Sequence, residues 1–100
     1  MSVPETIATK TIADEARPHL PRGVRLRFDT VRNEWNLLAP ERVLKVDAIA
    51  VEILKRCTGT ASFTAIIADL AQNFAADPAL IRKDVHAFLH GMVQKRMMDL

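Results

Sequence analysis

The stretch LAPERVLKVD, residues 38–47, decides how this chain folds. Pro40 has no backbone N–H to give to a sheet ladder, so Pro40-Glu41-Arg42 reads as a corner, not as the middle of a strand. Val43 to Val46 then alternate, with Val43 and Lys45 on one face and Leu44 and Val46 on the other. Asp47 ends the alternation, because its short carboxylate suits the N-cap of a helix. Sheet lies before the corner and helix lies after the aspartate.

Before the corner, Trp35 to Ala39 forms one strand. Val24, Leu26 and Phe28 alternate with Arg25, Arg27 and Asp29, the period of a half-buried strand, and polar Arg32-Asn33-Glu34 joins the two. The expected sheet is a three-stranded antiparallel meander with its third strand at an edge. Residues 1–20 carry few large apolar side chains and no sustained period. They are expected to be a flexible N-terminal arm with a transient turn near Ile12 to Ala16, ahead of a single domain at 21–100.

After Asp47 the period is helical. Ile49, Ile53 and Cys57 line one face of a first helix, and Gly59 follows as a stop. Ser62 caps a second helix whose stripe is Phe63, Ile66, Ile67, Leu70 and Phe74. Asp77-Pro78 starts a third, with a capping carboxylate and then proline at the first helical position. Its stripe runs through Ile81, Val85, Phe88, Leu89, Met92 and Val93 and ends near Lys95-Arg96. The expected class is α+β, in the order β-β-β-α-α-α: a three-stranded antiparallel sheet followed by a three-helix bundle, like a winged helix-turn-helix.

Bulk properties narrow the function. The 100 residues suit one domain, and 49% hydrophobic residues supply a core. A net charge of +2 creates no strong field for nucleic acid. A lone cysteine excludes an internal disulfide, and no apolar run nears the roughly 18 residues of a membrane span. A small, soluble, cytoplasmic domain with no membrane partner is expected.

Enzymatic chemistry finds no foothold in the residues. The three glycines are scattered, so there is no phosphate loop, and Cys57 sits on an apolar helical face with no histidine assigned to it. His86 and His90 are four apart and could reach one metal, but they lack a third ligand and fall on the polar side of their helix. A solvated surface is the simpler account. Arg22, Arg25, Arg27, Arg82 and Lys83 keep a winged-helix nucleic-acid-binding domain as the alternative, although Asp77 and Asp84 flank the helical pair. A second alternative is a small structural subunit whose third helix docks permanently into an enzyme. The edge strand points elsewhere. Its unpaired backbone groups can accept an extended peptide, with part of the wide third-helix stripe as a groove wall. A proline at Leu44 is then expected to remove one donor from that edge.

Leu20-Pro-Arg-Gly-Val-Arg-Leu26, Leu37-Leu-Ala-Pro-Glu-Arg-Val-Leu44 and Asp84-Val-His-Ala-Phe-Leu89 carry a resemblance. From about Arg17 to Leu100 the chain closely resembles the pyrroloquinoline quinone biosynthesis protein D family, differing at Lys45, where an acidic residue is more usual. The resemblance implies a peptide chaperone without a cofactor of its own, not an enzyme and not a nucleic-acid binder. Such a protein binds the ribosomally made precursor peptide of pyrroloquinoline quinone and presents it to a radical S-adenosylmethionine (SAM) enzyme. It further implies that the peptide adds as a strand to the third strand, Arg42, Val43, Leu44, Lys45 and Val46, against a helical face of Val85, Phe88, Leu89 and Met92.

Overall fold

A computed structural model describes residues 12–100. Strands β1 (Arg25–Asp29), β2 (Glu34–Ala39) and β3 (Arg42–Val46) are followed by helices α1 (Ala48–Lys55), α2 (Phe63–Asn73) and α3 (Pro78–Gln94). The sheet order is β1-β2-β3, both pairs antiparallel. This is the α+β meander-then-helices arrangement expected from the sequence.

The turns explain the meander. Asp29 Oδ1 accepts from the N–H groups of Val31 and Arg32, folding the first connection, and Asn33 takes a left-handed φ of 57° before β2 starts. The second connection has two residues, since Ala39 pairs with Arg42. Pro40 presets a negative φ and Glu41 follows at +61°, the sign pattern of a type II turn. Leu26, Leu37 and Leu44 pair across the three strands on one face, with Phe28, Trp35 and Val46 beside them. Leu37 is fully buried there.

Each helix starts where a side chain can cap it. Asp47 accepts from Ala50 N–H at 2.8 Å, Ser62 from Ala65 N–H at 3.1 Å, and Asp77 from Ala79 N–H at 2.9 Å, with Pro78 opening α3. The core joins Leu37 of the sheet to Ile53, Leu54, Phe63, Ile66, Leu70, Val85, Leu89 and Met92 of the helices. Arg56 ties α1 to α2 on the outside, donating to Asp69 at 2.5 Å and to Glu52 at 2.9 Å.

The stretch before β1 departs from the expected arm. Residues 1–11 lie outside the described residues, but 12–20 are tied to the domain at particular points. Ile12 is 4% exposed and belongs to the core cluster, and Pro18 is fully buried. Ala16 C=O accepts from Phe63 N–H at 2.7 Å, and His19 exchanges two backbone hydrogen bonds with Asp99, each 2.9 Å. Gly59 N–H donates to Pro18 C=O, and at φ +86° this glycine brings the α1–α2 connection against the His19 side chain. The segment is a strap. Its partners are 40 to 80 residues away in sequence, so no local period announces it.

Candidate functional site

β3 has one neighbour, β2, so its other edge is unpaired within the described residues. Hairpin geometry says which groups face out. In a two-residue hairpin the pair flanking the turn, here Ala39 and Arg42, is hydrogen-bonded, and bonded and non-bonded pairs then alternate. Arg42, Leu44 and Val46 therefore bond inward to β2, while the N–H and C=O of Val43 and Lys45 face the open edge. A visiting extended chain would bond to Val43 and Lys45. The expectation that Leu44 donates from the edge is corrected by this register.

Side chains alternate the other way. Leu44 and Val46 turn toward the core and are half-buried, whereas Val43 stands 64% exposed on the outer face. Lys45, also on the outer face, pairs with Glu34 of the neighbouring β2 at 3.5 Å. Arg42 reaches from the start of β3 to the end of α3, where Nη2 donates to Lys95 C=O at 2.7 Å. The acceptor is one of the unpaired carbonyls of a helix C-terminus, where a cation is favoured.

The helical half of the expected site divides. Val85, Leu89 and Met92 are 0–4% exposed and sit in the core cluster, so in this structure a peptide laid on the surface cannot touch them broadly. Phe88 is half-buried, as are Ile81 and Val93, so these three leave part of the α3 stripe accessible. The wide stripe is wide because its middle is consumed by the core. Two exposed apolar residues near the α3 start went unrecognised as surface: Ile49 at 71% and Phe74 at 53% exposure. Both lie at helix ends, where a stripe runs past its packing partner.

The remaining candidates resolve as follows. Cys57 is buried, donates to Ile53 C=O at 3.2 Å, and has its thiol pKa pushed up to about 12 by burial. His86 is not a solvated surface residue. Its Nε2 accepts from Ile12 N–H at 3.3 Å and its ring meets Phe63 edge-on, while His90 stacks against it with ring centroids 6.1 Å apart. Among the described residues no group of three metal-ligating side chains converges. Arg82 is paired with Asp14 of the strap and lies over Phe63 at 4.9 Å, so this cation is engaged within the fold.

Comparison with known proteins places this geometry. The family described as Coenzyme PQQ synthesis protein D (PqqD) matches residues 34–98, which hold β2, β3 and all three helices. The chain belongs to this family. A PqqA binding protein of Rhodopseudomonas palustris (strain BisB5) is 51% identical over 85 residues, covering 85% of this chain and 83% of that one. The solution structure of the PqqD part of Methylobacterium extorquens PqqCD, described as a stand-alone recognition element for ribosomally synthesized and post-translationally modified peptides, is 43% identical. It superimposes with a TM-score of 0.77 over 92% of this chain and 98% of that one. The crystal structure of PqqD from Xanthomonas campestris is 42% identical, with a TM-score of 0.57 over 90% of this chain and 100% of that one. No helix among the described residues is long and apolar enough to cross a membrane.

Proposed function

We propose that this PqqD-family protein is a peptide-binding adaptor of pyrroloquinoline quinone biosynthesis. It takes the precursor peptide as a fourth strand on the free edge of β3 and presents it to the radical SAM enzyme of the pathway. The observation that carries the mechanism is the open edge itself: Val43 and Lys45 hold backbone groups that face away from β2, the only strand paired with β3 among the described residues. The name PqqA binding protein, carried by relatives about half identical to this chain, supports the cargo. Main-chain bonds supply affinity without demanding particular side chains, and a flexible peptide loses entropy on ordering, so binding is moderate and reversible. That suits a carrier. Catalysis stays with the partner enzyme, and the adaptor acts by raising the local concentration of the peptide.

The nucleic-acid alternative loses ground to Arg82, which is held by Asp14, and to Arg25 and Arg27, which sit on the outer sheet face and not on α3. The test is titration of isotope-labelled protein with synthetic PqqA peptide and, separately, with duplex DNA. Amide shifts centred on 42–46 and on α3 with peptide alone support the adaptor. If the peptide leaves the Val43 and Lys45 amides unmoved, strand addition at β3 is wrong.

A further inference from the structure

Two points fix how β3 and α3 run past each other. Arg42, at the start of β3, touches Lys95 at the end of α3. Ile49, three residues beyond the end of β3, shares a depression with Ile81 near the start of α3. The two elements are therefore antiparallel, with the Arg42 side chain crossing between them at one end. The depression lies toward the other end.

The depression is a built feature. Ile49, Phe74 and Ile81 form its walls over Ile53 and Leu70, and its volume is about 200 Å³. Sites for drug-sized ligands run from about 300 Å³ upward, so this one fits a single side chain. Glu52 and Asp84 stand at its rim. Glu52 is already engaged by Arg56 and Lys55, whereas Asp84 has no ion pair among the described residues. Exposed apolar surface ringed by polar groups marks an interaction site, and here one of its walls, Ile49, lies three residues past the end of the open-edged strand.

We infer that the Ile49–Phe74–Ile81 depression is the anchoring pocket for the peptide strand on β3. It receives one large apolar side chain of the peptide, next to a peptide cation that faces Asp84. β3 is five residues long and a paired strand advances at about the same rise, so the anchor lies roughly five residues along the peptide from the position opposite Arg42. The inference rests on the reading that the chain binds a peptide along β3. The pocket fixes register, which main-chain bonds alone leave free to slip.

The experiment uses synthetic PqqA peptide with isotope-labelled wild type, Phe74→Ser, Ile49→Ser and Asp84→Lys. Both apolar side chains are more than half exposed, so the serine variants keep the fold, which circular dichroism checks. Each serine variant is expected to bind about tenfold more weakly, while saturating peptide still shifts the Val43 and Lys45 amides. Asp84→Lys is expected to weaken binding at low salt, by a factor that shrinks as salt rises. Affinities of both serine variants within twofold of wild type, with normal shifts along β3, overturn the pocket and leave strand addition standing. Unchanged affinity of Asp84→Lys at low salt overturns the cationic neighbour. A peptide that shifts neither β3 nor the pocket sinks both readings together.

Discussion

Ala75 sits at a left-handed φ of 50°, just past the end of α2. There Ala76 N–H reaches Ala71 C=O at 3.0 Å and Ala75 N–H reaches Gln72 C=O at 3.4 Å, the paired bonds of a Schellman motif, whose turning residue is usually glycine. Arg96 repeats the arrangement after α3 at φ 61°, with Met97 N–H bonded to Met92 C=O at 2.9 Å. A Cβ in this region is strained by about 1–2 kcal/mol, and glycine gives back part of that through its freer unfolded chain. Ala75→Gly is therefore expected to stabilise the fold by about 0.5–1 kcal/mol, read from urea unfolding midpoints. At Cys57 the expectation concerns reactivity. With its thiol pKa near 12 and its side chain buried, it should resist Ellman's reagent at pH 8 until denaturant opens the core. Rapid labelling of the folded protein would contradict the burial.

At the scale of elements, the register of β3 separates two prolines that look alike in sequence. Leu44→Pro breaks an inward bond to β2 and should disrupt the hairpin. Val43→Pro removes an outward donor, a position where edge strands tolerate proline, so the fold should persist while PqqA binding weakens. Val43→Ala, which keeps the N–H, is the control for the lost side chain. Peptide affinity of a folded Val43→Pro equal to that of Val43→Ala would rule out the predicted ladder bond. The α1–α2 clamp makes a different prediction. The hydrogen bond from Arg56 holds the Glu52 carboxyl below its ordinary value of 4.5, outweighing the desolvation that acts in the other direction. A lowered folded-state pKa gives stability that is present above 4.5 and lost as pH falls through the folded value. The stability gap between wild type and Glu52→Gln should thus be constant near neutrality and close in acid. A gap independent of pH would show that the charge of Glu52 does not matter.

For the whole molecule, the strap is the feature that local reading misses. Ile12 lies in the core cluster, and Ile12→Ala is expected to lower stability by about 2–4 kcal/mol, measured by denaturant unfolding. A mobile arm would lose nothing, so an effect below about 0.5 kcal/mol would return residues 12–20 to that description. What the sequence by itself determined is local. Asp47, Ser62 and Asp77-Pro78 start the helices because a cap needs only the next three residues, and Pro40 turns β2 into β3 because its ring and missing N–H act on the spot. The edge position of β3 follows from that corner. Only the tertiary structure decided which apolar residues are consumed. Val85, Leu89 and Met92 go to the core, while Ile49 and Phe74, drawn from the same kind of stripe, stay outside. Periodicity shows which side chains share a face, but burial depends on how far the partner surface extends, and that is set by residues far along the chain. The strap and the pocket both come from such distant meetings.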